Sequence, residues 1–443
     1  MPSRMGLGPM SRVLDVRRGE RLLVALSFVC FFGLLAASGV LRPIREALGL
    51  EGGVDRLPIL WSITFTASLV LYPALGALAS RTTRTRFAVQ VFVIIAASLV
   101  VFRMLLAGDL PEVPLGRAYY VWVSVFNLIL TSVFWGVMAD VFTNEQGRRL
   151  FGPIAAGGTA GAVCGSTATR LAVRALGVEG MLLVAACLIG LSAVCVVALS
   201  RAAHAGRGGG SPDGDGGGGD RGEARAPEPL IGGKVLDGLS HVARSRYLLT
   251  ICAWILLLTS TATFVYFQQG WIVDRAIADR AGRTEFFSSV DVGAQIVTLL
   301  VQLLLTRAIV RRFGVAGLLV VLPVVTGLGF AVLAAAPALA AVAVFQVVRR
   351  ASEYGLGRPG REILFTVVSR EDKFKAKNVV DVVVYRGGDV AVGWLNIGLK
   401  ATGLGLAALA LAAIPLCALW AVTSIALGRM EGRRRALLEE RPT

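Results

Sequence analysis

Histidine is nearly absent from this chain: 443 residues contain two, His204 and His241, both in a glycine-rich region. Lysine is almost as scarce, with five against 40 arginines. The six cysteines (Cys30, Cys164, Cys187, Cys195, Cys252 and Cys417) sit singly in apolar runs, without metal or redox spacing. They read as small buried hydrophobes. No GxxxxGK[ST] loop is present to cradle nucleotide phosphates, and there is no nucleophile elbow or metal-ligand set. These absences argue against an enzyme and against an ATP-hydrolysing pump, and no cofactor is expected. Acidic residues are also few, 29 against 45 basic, which leaves a net charge of +16. Such an excess fits nucleic acid binding, or it fits basic loops on the cytoplasmic side of a membrane.

Hydropathy decides between the two. The chain is 55% hydrophobic with a mean hydropathy of +0.69. Segments 22–41, 180–200, 314–336 and 402–428 carry no charge over about the 20 residues a bilayer crossing needs. The pattern predicts an all-α membrane protein with twelve spans, near 22–41, 57–79, 87–107, 119–139, 151–173, 180–200, 247–267, 286–306, 314–336, 338–356, 379–399 and 402–428. The first run is longer than a signal peptide's apolar region and lacks a small-residue cleavage site after it, so it reads as a retained helix. With both termini cytoplasmic, 31 Lys and Arg fall in the cytoplasmic loops and 10 on the other side. That asymmetry supports an even span count. The expected partners are a lipid bilayer and a small solute. Nucleic acid is not expected, the chain is expected to be a monomer, and its expected location is a bacterial inner membrane.

Residues 201–245 divide the chain. Their core, GRGGGSPDGDGGGGDRGE at 206–223, holds too little apolar surface to order itself and predicts a flexible linker. Segment 230–246 reads as an amphipathic helix on the membrane surface. The expected domains are a six-helix bundle over 1–200, the cytoplasmic linker over 201–245 and a second bundle over 246–443. The halves are weakly similar to each other. Phe142-Thr143 and Phe365-Thr366 each lead into an acidic–basic cluster and then a Gly-Gly, and duplicated halves are a signature of secondary transporters. Spans six, nine and twelve carry no charge and span three only Arg103, as expected of lipid-facing supports. A bland third and sixth helix in each half matches the major facilitator architecture.

Within span five, GPIAAGGTAGAVCG places Gly157, Gly161 and Gly165 on one face, where they let a neighbouring helix approach closely. SRTTRTR at 80–86 puts three arginines at a cytoplasmic helix end. Polar groups at membrane depth are functional candidates by default. The substrate-binding candidates are Arg42, Arg45, Asn127, Gln268, Arg349, Arg350, Arg386 and Asn396. The coupling or gating candidates are Asp140, Glu145, Arg148, Asp291, Glu353, Lys377, Asp381 and Asp389. Arg349 and Glu353 are four apart and can pair on one face; a helix break is expected near Gly357–Pro359. Arginine matches phosphate and carboxylate bidentately, so an anionic solute is favoured.

The most charged connection is GRPGREILFTVVSREDKFKAKNVVD at 357–381, with six basic and four acidic residues. Together with the preceding SEYGL and the following VVVYRGGD, it resembles the ATP/ADP translocases of plastids and intracellular bacteria. It is closer still to their major facilitator-like relatives in free-living bacteria. The matches are Ser352, Tyr354, Pro359 with Arg361-Glu362, the alternating Lys373, Lys375 and Lys377, and Asp381. GVLRPIREALGL at 39–50 and FWGVMADVFTNEQGRRLFG at 134–152 share the resemblance. It implies a twelve-helix carrier that exchanges nucleotides. The four charged positions that translocases use fall near Trp61, Ser124, Gln268 and Lys377, and of these only Lys377 is charged here.

The sequence therefore predicts a secondary active transporter working by alternating access on an anionic or phosphorylated solute. The 357–381 connection is expected to form ion pairs with Asp140, Glu145, Arg148 and Arg149 as the cytoplasmic side closes. Two alternatives remain open. One is a proton-coupled carrier of a non-nucleotide solute, using Asp291, Glu353 or Asp389. The other is a non-transporting scaffold on a carrier fold.

Overall fold

A backbone amide in hydrocarbon has no water to bond, so apolar runs of this length must satisfy their own hydrogen bonds as helices. The computed structural model describes residues 16–79, 81–108, 111–207, 245–368 and 384–439. All regular structure among them is helical, without a strand. The elements are α1 Arg21–Gly49, α2 Leu57–Ala79, α3 Arg84–Leu106, α4 Glu112–Val141, α5 Asn144–Arg207, α6 Arg246–Ala276 and α7 Arg280–Leu300. A π-turn over Val301–Leu305 follows, then α8 Thr306–Ala335, α9 Leu339–Ser352, a second π-turn over Glu353–Gly357, α10 Arg358–Leu364, α11 Tyr385–Ala401 and α12 Leu406–Glu439. Eight helical stretches among the described residues are long and apolar enough to cross a membrane. Two of them, of 55 and 56 residues, are long enough for two crossings each. They bend at Gly177 (φ 69°) and Gly314 (φ 64°), left-handed conformations that favour glycine. The chain is an integral membrane protein.

Some helices outrun the expected boundaries. α1 continues through Pro43 and carries Arg42, Arg45 and Glu46 in its last turns. α5 runs to Arg207, so helix extends into the expected linker; most of that linker and of the expected amphipathic helix at 230–246 lies outside the described residues. The break expected near Gly357–Pro359 does not occur. A π-turn absorbs one extra residue there, with the Arg358 amide bonded back to the Glu353 carbonyl. Pro359 then sits in the first turn of α10 and has no N–H to return to the π-turn, which leaves carbonyls there for other donors. Thr306 Oγ1 donates to the Gly355 carbonyl at 2.9 Å and Gln302 Nε2 to that of Tyr354 at 3.3 Å, so the two π-turns brace each other.

The chain divides into two compact units, 1–48 with 70–226 and 49–69 with 227–443. In the first, the glycine face of α5 lies against α1, as its spacing predicts. A Cβ at Gly157 would stand 2.7 Å from the Phe28 carbonyl oxygen, and Cβ atoms at Gly161 and Gly165 would come closer still to the carbonyls of Phe32 and Ala36. Ser192 Oγ donates to the Cys30 carbonyl at 3.1 Å, tying the far part of α5 to α1. In the second unit, α12 packs on α6 through Trp254, whose Nε1 donates to Ser424 at 2.8 Å. It meets α8 where Gly428 leaves room for Ala316. Tyr247 closes the base of α6 with a 2.8 Å bond to the Leu364 carbonyl.

The segments with little or no charge turn apolar side chains outward: Val93, Ile94 and Met104 on α3, Leu191 and Val194 on α5, Leu328 and Val332 on α8, Leu419 and Val422 on α12. A bilayer would cover such surface. The reading of all six cysteines as buried needs correction. Cys30, Cys195 and Cys417 are buried, but Cys164 and Cys187 are exposed on α5. An apolar run in a membrane helix has a lipid-facing side, so apolar sequence context does not by itself imply burial.

At the end of α1 that bears Arg21, Glu20 accepts hydrogen bonds from Arg149 Nη2 (2.9 Å), Arg149 Nη1 (3.2 Å) and Gln146 Nε2 (3.1 Å). The Arg149 guanidinium holds the Glu20 carboxyl below its ordinary value of 4.5. A depressed carboxylate contributes stability that is present above the unfolded value and lost as pH falls from there through the folded value. Thermal unfolding in detergent checks this. Wild type should lose melting temperature below about pH 4.5 more steeply than Glu20→Gln, which should already be the less stable protein at pH 7.

Candidate functional site

Polar groups gather inside each unit separately. In the first unit they lie on α1 and α4. Arg45 Nη1 donates to Ser124 Oγ at 3.4 Å, its guanidinium lies 5.3 Å from the Tyr120 ring centroid, and it pairs with Glu46. Two turns earlier on α1, Ser38 Oγ donates to Asn127 Oδ1 at 2.6 Å. Arg42 is half-buried on the same helix.

The second unit holds the larger cluster, on α6, α7, α9, the second π-turn and α11. Gln346, Arg349, Arg350 and Glu353 follow each other at helical spacings of three, one and three, so they form one polar stripe. Arg350 pairs with Asp291 of α7, whose side chain is 6% exposed. Arg349 Nη1 lies 3.3 Å from Glu353 Oε2, an ion pair four residues apart, as expected. Gln346 Nε2 donates to Gln269 Oε1 of α6 at 2.6 Å. On α11, Asp389 accepts from Thr263 Oγ1 at 3.4 Å, with Arg386 and Glu353 close enough to act on its charge. Asn396 Nδ2 donates to the Val392 carbonyl of its own helix at 3.0 Å, and Gln268 Nε2 reaches the Leu406 carbonyl at 3.4 Å.

Several of these buried groups are incompletely bonded. Gln268 Oε1, Gln269 Nε2, Gln346 Oε1, Asn396 Oδ1 and Arg349 Nε and Nη1 are buried and make no hydrogen bond to the described residues. Burying one polar atom without a partner costs about 1–3 kcal/mol. Such concentrations persist where function requires them.

Asp140, Glu145 and Arg149 pair within the first unit. Arg84 holds Asp140 at 2.8 Å, Arg17 holds Glu145 at 3.5 Å, and Arg149 holds Glu20. Lys377 and Asp381 lie outside the described residues, as does most of the charged 357–381 connection; the side chain of Arg148 is not described either.

Sequence reading missed Ser38, Thr263 and Gln346. Gln346 left a usable signal, a lone polar residue in LAAVAVFQVV one turn before Arg349. It also missed an ionic collar in the second unit. Glu51 pairs with Arg280 at 2.6 Å and Asp55 with Lys400 at 2.7 Å, while Trp271 Nε1 donates to Asp55 at 3.0 Å. Trp61 packs beside them, tilted against Tyr266 and edge-on to Phe267. These partners lie more than 200 residues apart in sequence, beyond the reach of any local pattern. Among the described residues no group of three His, Cys, Asp or Glu could hold a metal ion.

The helical architecture is of the major facilitator type. Among solved structures, the nucleoside transporter NupG is 14% identical, matching 94% of this chain and 99% of its own with a TM-score of 0.64. An auto-inhibited POT family peptide transporter is 12% identical over 94% of this chain and 97% of its own, with a TM-score of 0.59. A bacterial homolog of the human lysosomal transporter Spinster, inward-facing and unoccupied, is 14% identical over 99% of this chain and 100% of its own, with a TM-score of 0.51. At these identities the likeness is one of fold. No protein-family model matches the chain, and no curated protein matches it.

Proposed function

We propose that the chain is a secondary active transporter that works by alternating access and moves an anionic or phosphorylated solute. The observation that carries this reading is the buried cationic stripe of α9. Arg349 is 6% exposed on a helix of a membrane fold, with Nε left without a hydrogen bond. Ionisable groups at that depth are expensive and mark solute or ion pathways. The half-buried Arg42 and Arg45 of the first unit add cationic character. The transporters among the structural neighbours support the class of function, and the resemblance of 352–389 to ATP/ADP translocases supports exchange of nucleotides as its first form. In this reading twelve spans form two six-helix bundles joined at 201–245, with both termini in the cytoplasm of a bacterium, and the charged connection at 357–381 acts as a gate.

A second reading is favoured by Asp389, a carboxylate on α11 bonded to Thr263 beside Arg386 and Glu353. Such a group can carry a proton in a proton-coupled carrier of a non-nucleotide solute.

The test is uptake of labelled ATP into proteoliposomes loaded with ADP. Exchange well above leak is expected for wild type and exchange near leak for Arg349→Ala. Wild type at the leak rate ends the nucleotide form. Uptake driven by a proton gradient and lost in Asp389→Asn establishes the second reading. If no solute is taken up and no ligand stabilises the protein, the chain is a scaffold on a carrier fold.

A further inference from the structure

The Gln269–Gln346 contact has an unused half. Each carboxamide has a donor end and an acceptor end, and one hydrogen bond joins them, from Gln346 Nε2 to Gln269 Oε1. That leaves Gln269 Nε2 as a donor and Gln346 Oε1 as an acceptor, both buried and both without a hydrogen bond. The two residues are 1% and 2% exposed. The pattern does not depend on how the amides are turned, because reversing both still leaves one donor beside one acceptor. Three residues along α9, about 4.5 Å in helical rise, stands Arg349, with Nε and Nη1 also lacking a hydrogen bond.

We infer that Gln269, Gln346 and Arg349 form one recognition element for a solute that carries an amide-type edge and a carboxylate or similar anionic group about 5 Å away. The solute's N–H would meet Gln346 and its adjacent C=O would meet Gln269, completing the hydrogen bonds that the carboxamide pair leaves open. Its anionic group would take the Nε edge of the Arg349 guanidinium, which makes no hydrogen bond, while Nη1 is held 3.3 Å from Glu353 Oε2. A site built this way rejects an analogue lacking the amide edge, because binding the analogue leaves two buried polar groups unmet. The inference rests on the transporter reading and narrows it to solutes with this edge.

The test uses purified full-length protein in detergent, with thermal stability read against concentration of three small probes. Orotate has a cyclic amide edge and a carboxylate, benzoate has only the carboxylate, and uracil has only the edge. Wild type should bind orotate at least about tenfold more tightly than benzoate or uracil. Gln269→Leu/Gln346→Leu replaces both partners with apolar groups of similar size, so it should fold. It should bind orotate no better than benzoate. Arg349→Gln should bind orotate no better than uracil. Equal binding of orotate and benzoate by wild type, or an unchanged preference in the double leucine variant, overturns the recognition element while anion transport stands. If neither carboxylate binds and no anion enters proteoliposomes, the recognition element and the transporter reading fall together.

Discussion

Gly161→Leu in α5 is expected to leave almost no folded protein recoverable from the membrane. At this position even a methyl group would be driven into the backbone of Phe32 on α1, and Gly165 stands in the same relation to Ala36. Contact with a flexible side-chain tip could be relieved by a rotamer change. Contact with a carbonyl on a neighbouring helix can be relieved only by moving the helix. The cost therefore lies at or beyond the upper end of the roughly 1–3 kcal/mol typical of overpacking. Gly161→Ala should show the same effect in milder form, as a lowered melting temperature in detergent. Gly136 and Gly190 are the controls, since a Cβ at either meets nothing within 4 Å. Alanine there should be neutral or stabilising by about 0.5–1 kcal/mol through helix propensity. If Gly161→Ala melts like the Gly136 and Gly190 variants, the close approach of α1 and α5 is not what holds the first unit together.

The second large effect is expected from the Asp291–Arg350 pair. Both side chains are mostly withdrawn from solvent, 6% and 17% exposed. Removing one takes a close counter-charge from the other in low dielectric, a loss of up to about 3–5 kcal/mol. Arg350→Met alone should therefore lower the melting temperature sharply, as should Asp291→Leu alone. Asp291→Leu/Arg350→Met together removes both charges and should recover most of the loss, because replacing a whole buried pair by apolar groups is often neutral or better. A double-mutant cycle on thermal stability reads the coupling directly. Additive losses in the double variant would mean that the two charges are held by other groups and that α7 and α9 are not tied through this pair.

Much of this was legible because membrane helices obey a strict rule. A charge-free run over 180–200 or 402–428 has one structural solution in a bilayer. The glycine spacing of span five foretold its contact with another helix, and the i, i+4 spacing of Arg349 and Glu353 foretold their pairing. What stayed hidden depended on distant parts of the chain. Nothing near Lys400 announces Asp55, and nothing near Gln269 announces Gln346, because local periodicity carries no information about which helix lies alongside. The continuation past Gly357 was missed for a different reason. Glycine and proline were read as breakers, but a proline in a first turn and an extra residue in a π-turn let the helix run on.

One feature of the second unit bears on how such a molecule is assembled. Residues 49–69 pack with the C-terminal half, although most of the first unit follows them in sequence. A chain severed in the glycine-rich stretch would therefore not yield two self-sufficient pieces. The later piece would lack Glu51, Asp55 and Trp61, which meet Arg280, Lys400 and Tyr266, and the earlier one would carry a limb cut off from those contacts. During synthesis, that limb must wait for most of the protein to be made before it finds its place.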